Sequence, residues 1–578
     1  DLSGHLAVAG FPDPVVTVDT GGMFNLSGDV TGDVTNYGTT KLEAAGTISG
    51  DVVTSGTFVH NGTVTGAVTS TGLLSGTGSI GTLSVGDGGT LATGNSVGTM
   101  TVLGDFAFGP GATHAVEIGA DGATDLLSVG GVANLEGGTV VATGEDGFTP
   151  VLGAGYVFLH ADGGIVGTHD TLEGGLFEDS LYPFLTTGLV YGAEDALLVV
   201  ERSGLSYADA GGTANERSVG AALDTFVAGS ALDLPLTHLT VDQYDLAADQ
   251  LSGQIYASTL TALQNSANVV RDTLQSRLAT AFTEEGDPSR YAAAQVDAAP
   301  LPGMTASVWV SAYGNWSDKE DTGNTAKLSS TLGGTMAGID VPVGAWGRAG
   351  LAAGYGSDSF KTEGLSASGN ADTTTIAAYG GAEYGAFRAN LGGSFAWHDV
   401  DVSRSISFPG YAASQSADYA ATTGQVFGEA AYDFGLSVLD LSAFGGLAYV
   451  HTSTDGFSEG AGLTSLTGDG DSQSNTLSTL GLRLGKTFAV GEGLLRANAT
   501  LGWQHAFGDV DPTASLAFAD GGAGFSITGA PIAEDAAVLG LGLNFTVTDR
   551  VSMSIGYNGR IGDHTAEHAA VGKLAVSF

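Results

Sequence analysis

The most constraining feature of this chain is a strict alternation of apolar and small or polar residues in its C-terminal half. The run Arg-Ala-Asn-Ala-Thr-Leu-Gly-Trp-Gln at 496–504 is typical: successive side chains of an extended strand point to opposite faces. No stretch of 18 apolar residues occurs, so no transmembrane helix is predicted. Strands that are apolar on one face and polar on the other favour a closed barrel that can meet lipid.

The segments of this kind predict twelve strands, which is an even number. Connections after strands one, three, five, seven and nine are predicted to be long, and those after the even-numbered strands short, with long loops on the outer side. Residues 304–578 therefore predict a 12-stranded antiparallel transmembrane β-barrel. The predicted strands lie near 304–316, 332–344, 346–358, 371–384, 386–400, 417–434, 437–455, 475–490, 493–507, 533–548, 550–562 and 566–578. The polar faces predict that Arg483, Arg496, Asn498, Asn544 and Arg560 face the lumen, where the arginines either contact another element or are solvated.

Residues 1–139 contain short Thr/Val/Ser runs that recur between glycines. Four intervals of 18, 16, 15 and 17 residues separate five segments, which are Gly32–Gly38, Gly50–Gly56, Gly66–Gly72, Gly81–Asp87 and Gly98–Gly104. One such coil cannot bury its apolar face alone, whereas stacked coils can. We predict a right-handed parallel β-helix, that is, a solenoid. From residue 140 to 204 the repeat weakens and large apolar residues become more frequent, so this segment is predicted to cap the open end of the solenoid.

Residues 205–303 predict a helical linker. A long helix is expected at about 254–283, because apolar residues recur there at steps of three and four. Its polar residues exclude contact with lipid but suit a polar lumen, so we predict that this helix spans the barrel pore. The residues assigned to it are Tyr256, Leu260, Leu263, Val270, Arg271, Leu274 and Arg277.

Charge excludes some classes of partner. The net charge is −44, and residues 1–200 hold Lys41 as their one basic residue against 22 acidic ones. This argues against binding to nucleic acid. The chain has no cysteine, so it has neither disulfides nor thiol chemistry. No leader-like segment follows Asp1, which leaves open both a removed signal peptide and a C-terminal fragment.

Two short motifs resemble catalytic signatures but lack the required context. His564, Glu567 and His568 fit a zinc-protease pattern but fall between two predicted strands, and Gly94–Gly98 fits a hydrolase elbow inside the repeat. We therefore predict no catalytic, cofactor or metal-binding residues, and no enzyme activity within this chain.

Three segments resemble the autotransporter, or type V secretion, family. Ala248–Ser258 resembles the segment that precedes the family's pore helix, and Tyr156–Arg202 resembles its autochaperone-like passenger junction. The terminal Phe578, with Leu574 and Val576, resembles the family's signal for barrel assembly. The resemblance implies a barrel in the outer membrane of a Gram-negative bacterium and an exported passenger on the cell surface. It also implies outer-membrane lipid, the barrel assembly machinery and periplasmic chaperones as partners.

The passenger's role is open at this point. The leading hypothesis is a cell-surface adhesin or interaction rod, with ligands on host or neighbouring cells. The alternative is that the passenger is an enzyme whose catalytic domain lies N-terminal to Asp1. A weaker alternative is a simple outer-membrane pore.

Overall fold

A computed structural model describes residues 6–7, 15–177, 181–227, 229–281, 306–344, 346–436, 439–491, 493–548 and 550–577. The chain divides into two compact units, one of Asp1–Leu205 with Leu234–Asp242 and one of Ser206–Asp233 with Gln243–Phe578. Within the described residues, no helix is both long and apolar enough to span a membrane.

The first unit is a solenoid whose parallel strands stack in three columns. The first column contains β1 (Leu6–Ala7), β4 (Asp29–Thr31), β7 (Thr47–Ile48), β10 (Thr63–Ser70), β12 (Ser79–Val85), β14 (Thr99–Val102), β17 (Leu126–Val129) and β20 (Gly155–Ala161). The second contains β2 (Val15–Val18), β5 (Asp33–Asn36), β8 (Val52–Thr54), the second halves of β10 and β12, β15 (Phe106–Phe108), β18 (Ala133–Glu136) and β21 (Ile165–Thr168). The third contains β3 (Met23–Leu26), β6 (Thr39–Leu42), β9 (Thr57–His60), β11 (Leu73–Gly76), β13 (Thr90–Thr93), β16 (Thr113–Ile118), β19 (Thr139–Gly144) and β22 (Thr171–Gly175).

The predicted repeat is confirmed for four of its five segments. Val34, Val52, Val68 and Leu83 are in direct register on successive coils. The fifth segment was wrongly aligned, because Leu83 pairs with Phe106 whereas Met100 belongs to another column and pairs with Leu127. The coil between Leu83 and Phe106 is longer than the earlier coils. A glycine followed by threonine and an aliphatic residue occurs in more than one column, so this pattern does not identify the column. The parallel β-helix is confirmed, and its right-handed sense remains a prediction.

Stacking is tight because glycines allow neighbouring coils to approach. A Cβ on Gly72 would lie 2.1 Å from the carbonyl oxygen of Gly56. The interior is mostly aliphatic and becomes aromatic toward the later coils, where Phe106, Phe108 and Phe158 are buried. Each coil thus contributes one layer to a continuous core.

The solenoid ends in an antiparallel hairpin. Parallel stacking continues as far as Gly175 in β22. The strands β23 (Leu185–Tyr191) and β24 (Asp195–Arg202) then pair with each other, and β24 covers β20 in antiparallel orientation. The expected boundary at 139/140 falls within β19, so the division into 1–139 and 140–204 remains a prediction.

The helices lie between solenoid and barrel along the chain. They are α1 (Tyr207–Ala210), α2 (Ala214–Leu223), α3 (Asp233–Thr237), α4 (Val241–Leu251) and α5 (Gln254–Ala281). A capping box formed by Thr213 and Glu216 starts α2. The part of the linker predicted at 282–303 lies outside the described residues.

The barrel is closed by twelve antiparallel strands, as predicted. They are β25 (Ser307–Lys319), β26 (Leu328–Val343), β27 (Gly347–Thr362), β28 (Ala367–Tyr384), β29 (Phe387–Phe408), β30 (Tyr411–Asp433), β31 (Asp440–Thr454), β34 (Ser472–Val490), β35 (Gly493–Gly508), β38 (Asp535–Thr548), β39 (Val551–Gly562) and β40 (Thr565–Ser577). Two connections gather most of the irregular chain at one end, the loop end. They contain β32 (Phe457–Ser458), β33 (Leu466–Gly468), β36 (Thr513–Phe518) and β37 (Phe525–Thr528), which form a small separate sheet. The opposite end, the turn end, has short turns.

Two connections predicted to be long are tight turns. The turns after β27 and β29 are short because the strands themselves extend far beyond the lipid-facing region. In β29 the outward residues change from Phe395 and Trp397 to Asp399 and Asp401, while Val400 and Val402 point inward. The alternation keeps its period of two above the membrane, but the polar residues now face outward and the apolar ones inward. For this reason the polarity pattern predicts a loop where the strand continues.

Candidate functional site in the barrel lumen

The lumen contains helix α5. Nearly every residue from Gln254 to Leu278 is buried, on all sides of the helix. Gln254 contacts Ala326 at the loop end, whereas Arg277 contacts Asp340 near the turn end. The helix thus runs through the barrel with its N-terminal end at the loop end. A helix with an apolar stripe and buried charges needs partners for those charges, and the barrel wall supplies them.

The anchor near the turn end is centred on Asp340 of β26. Arg277 donates to it from Nε at 2.8 Å and from Nη2 at 3.0 Å. Arg348 of β27 donates from Nε at 2.7 Å, and the Tyr379 hydroxyl donates at 3.1 Å. All these side chains are buried. One carboxylate with two guanidiniums and a hydroxyl is a fully hydrogen-bonded buried site.

A second anchor lies nearer the middle of the helix. Arg560 of β39 donates from Nη2 to both oxygens of Asp272, at 2.8 Å each. Glu567 of β40 accepts a hydrogen bond from Lys319 at 2.6 Å and lies 3.8 Å from Arg560. Beside this group, Arg271 donates to Asn268 at 2.8 Å and to Gln425 at 3.4 Å. The helix is therefore held from opposite sides of the wall.

The third anchor is at the loop end. The Tyr256 hydroxyl donates to Glu459 at 2.6 Å, and Arg404 of β29 donates to both oxygens of the same carboxylate at 2.6 and 2.7 Å. Arg404 also donates to the carbonyl oxygen of Gln250, just before α5. Here one buried ion pair joins the helix, a barrel strand and the connection after β31.

The wall that contacts the helix is less polar than the alternation predicted. Ala267, Val270, Leu274 and Leu278 of α5 form one apolar cluster with inward-facing side chains of the barrel. The barrel members include Trp309, Met336, Tyr379, Phe427, Ala448, Val450 and Leu477. Leu260 and Leu263 are also buried. These aromatic residues occupy inward positions because the lumen there is filled by protein rather than water.

Next to this cluster, a polar cavity of about 220 Å³ remains beside the helix. The five residues predicted to face the lumen all line it: Arg483, Arg496, Asn498, Asn544 and Arg560. Arg483 pairs with Glu429 at 2.7 Å and lies 3.9 Å above the Phe444 ring, and Arg496 pairs with Asp440 at 2.9 Å. The helix is therefore off-centre, with an apolar seat on one side and polar space on the other.

The remaining predicted residues belong to the barrel assembly signal at the end of the chain, to the zinc-protease-like motif and to the elbow-like motif. Leu574 is exposed on the outer face, Val576 pairs with Val308, and Phe578 lies outside the described residues. Glu567 is buried in the lumen, whereas His568 accompanies Tyr557 on the exposed side. Ser96 occupies a solenoid turn at a φ of 105° and donates to Glu145. Neither motif has the geometry of its catalytic namesake.

Alternation and spacing did not predict the wall residues that hold the helix, above all Asp340, Arg348, Arg404 and Glu459. The strands β27 and β29 carry other charged residues besides Arg348 and Arg404, but Asp340 is the single charge of β26. That isolation is a usable signal, because a lone charge in a membrane strand requires a lumenal partner. Glu459 gives no such signal, since it lies in a loop.

The chain resembles known proteins over most of its length. Residues 308–558 match the family described as autotransporter beta-domain. Two Serratia marcescens proteins titled "Extracellular serine protease" are each 27% identical to it, over 555 and 535 residues that cover 87% and 84% of this chain. The chain spans about half the length of these curated relatives, 51% and 49%.

Among solved structures, the translocator domain of autotransporter NalP from Neisseria meningitidis is 17% identical, with a TM-score of 0.41 and coverage of 56% of this chain and 100% of that chain. The transport unit of AIDA-I from Escherichia coli is 15% identical, with a TM-score of 0.36 and coverage of 51% and 98%. The matched residues extend from β25 into β39 of the twelve-stranded barrel. Residues 308–558 are an autotransporter β-domain, an outer-membrane barrel with the passenger on the cell surface.

Proposed function

We propose that the barrel exports the solenoid of its own chain and then retains it at the surface through helix α5. The observation that carries this proposal is the direction of α5, whose N-terminal end lies at the loop end of the lumen. The chain that precedes the helix therefore leaves the barrel on the outer side. Three buried ion-pair anchors favour a helix that stays in place once it has arrived.

The absence of cysteine allows a direct test in intact cells. Met23→Cys, at a solenoid side chain that is 73% exposed, should react with a membrane-impermeant maleimide. Arg550→Cys, in the turn between β38 and β39 at the opposite barrel end, is the matched control. It should react only after the outer membrane is permeabilised. Equal labelling of both sites before permeabilisation would contradict the proposed orientation.

For the passenger, the names of the relatives favour serine protease activity over a purely adhesive rod. We infer that the solenoid is a stem that displays such an activity, while adhesion remains the second candidate because the exposed solenoid surface is repetitive and acidic. The elbow-like motif of the solenoid does not have a catalytic geometry, since the Ser96 hydroxyl donates a hydrogen bond to Glu145.

Intact cells that display the whole protein should separate these roles. A fluorophosphonate probe that labels active serine hydrolases should mark a surface protein, and the same probe should abolish cleavage of added casein. Unlabelled cells that adhere to host or neighbouring cells would support the adhesive rod instead.

A further inference from the structure

Helix α5 does not fill the lumen by itself. It packs against the inner faces of Trp309, Tyr379 and Phe427, and the polar cavity remains on the side of Arg483 and Arg496. A cavity lined by polar and charged side chains is a place for water and ions. Closure of this path toward the loop end requires an element other than the helix.

The connection between β35 and β38, residues 509–534, folds back to that position. Val510 and Ile532 pack in one apolar cluster with Ala267 and Val270 of the helix and with Leu477 and Ala506 of the wall. Leu477 also lines the cavity. The returning chain thus lies between helix and wall at the loop-end side of the polar space.

Backbone contacts fix this segment on the helix. The Ala530 N–H donates to Ser258 Oγ at 3.0 Å, and the Thr261 hydroxyl donates to the Ala530 carbonyl oxygen at 2.6 Å. A Cβ on Gly529 would lie 2.5 Å from backbone atoms of Ala257 and Ser258. Only glycine permits so close an approach without displacement of the helix or the loop.

Two amide side chains hydrogen-bond to backbone groups of loop-end connections: Asn215 binds the β35–β38 connection, and Gln254 binds the β25–β26 connection. Asn215 accepts from the Thr528 N–H and donates to its carbonyl oxygen, both at 2.9 Å. Gln254 forms the equivalent pair with Ala326, at 2.9 and 3.0 Å. Each amide satisfies two loop backbone groups that would otherwise lack a partner there.

We propose that residues 528–532, seated on α5 and held by Asn215, form the ion seal of the lumen. The seal is completed by the chain's own linker: Asn215 and Ser258 must reach the loop end before the segment has its partners. The pore therefore closes as the last step of export. This inference rests on the proposed export function, but its test uses conductance and not export.

The first experiment is single-channel recording of the full chain in planar bilayers. The unchanged chain should conduct little, and Gly529→Ala should raise the mean conductance severalfold because the added methyl group displaces the segment. Gly524→Ala is the matched control in the same connection, since its Cβ would meet its nearest neighbour at an ordinary 3.5 Å. Equal conductance of the two variants would overturn the proposal.

A second experiment does not depend on tolerance of the glycine substitution. Asn215→Ala removes the two-point contact and should produce frequent openings. In that background, Ser258→Cys with Ala530→Cys should suppress the openings when oxidised and restore them on reduction. Openings that are indifferent to the redox state would show that the seal lies elsewhere.

Surface labelling at Met23→Cys is measured in the same variants. If the seal variants are labelled normally but conduct no more than the unchanged chain, the seal is refuted and export is not. If Met23→Cys is not labelled even in the chain without a seal substitution, export itself is refuted.

Discussion

Arg277 and Asp340 form a buried two-point ion pair that joins the lumen helix to the second strand of the barrel. The exposed fractions of their side chains are 0% and 1%. Arg348 and Tyr379 donate to the same carboxylate. Asp340 therefore pairs with two arginines, Arg277 and Arg348.

This asymmetry predicts unequal effects of substitution. Asp340→Asn removes a buried anion that two guanidiniums share and should cost about 3–5 kcal/mol. Arg277→Gln leaves Asp340 with Arg348 and should cost less. Thermal unfolding of the purified barrel, with protease accessibility of α5, measures both changes.

Lys361→Gln is the control, because its pair with Glu363 is exposed and should contribute within about 0.5 kcal/mol. An Asp340→Asn protein as stable as this control would contradict the role assigned to the carboxylate.

The solenoid should tolerate alanine at Gly86 but not at Gly72. A Cβ at position 72 meets a backbone oxygen at 2.1 Å, whereas at position 86 its nearest neighbour is a methyl carbon of Thr71 at 3.4 Å. Overpacking of this kind costs about 1–3 kcal/mol. Chemical denaturation followed by circular dichroism should show a lower midpoint for Gly72→Ala only, and identical midpoints would argue against the observed coil spacing.

The solenoid core should be sensitive to acid. Burial lowers the pKa of His60 and of His169 to about 4 and holds the pKa of His114 well below its usual value. The unfolded chain takes up these protons near pH 6.5 and the folded chain does not. Stability is therefore complete above pH 6.5 and is lost as the pH falls toward 4, by about 3 kcal/mol each for His60 and His169.

Asp125 acts in the opposite direction, since burial raises its pKa to about 6. Below that pH the folded chain holds this proton more tightly than the unfolded chain, which offsets part of the stability lost through the histidines. Melting temperatures at pH 7.5 and 5 should differ for the unchanged chain. His114→Phe should reduce this difference, because it removes one buried group that takes up a proton on unfolding. The substitution removes no hydrogen bond, since neither ring nitrogen of His114 has a partner among the described residues. A melting temperature independent of pH would refute the prediction.

The antiparallel hairpin that ends the solenoid should be required for a protease-resistant passenger. Phe184 is fully buried, so Phe184→Asp places an unpaired charge in the cap, and Tyr156→Asp should act in the same direction. Cells that carry either variant should display a passenger that is degraded by added protease. Val190→Asp, at a side chain that is 43% exposed, is the control. Resistance of the Phe184→Asp passenger would disprove the requirement.

Sequence periodicity predicted the architecture because the burial of each residue depends on its position in a repeat that is local in the sequence. The period of two in Arg496–Gln504 and the stacked Val34, Val52 and Val68 needed no knowledge of distant residues. The same reasoning failed where polarity reversed without a change of period, as between Trp397 and Asp399 in β29. It also aligned Met100 with the wrong column, because coil length is set by loops rather than by the repeat.

The sequence by itself determined a stacked solenoid, a long helix with charges that lipid cannot accept, and twelve strands that close a barrel. Tertiary structure alone decided which residues meet: Arg277 with Asp340, Tyr256 with Glu459, and Gly529 with Ala257. These partners lie tens to hundreds of residues apart, and closure of the barrel around the helix brings them together. No local pattern encodes such distances, because they depend on the register of all twelve strands at once.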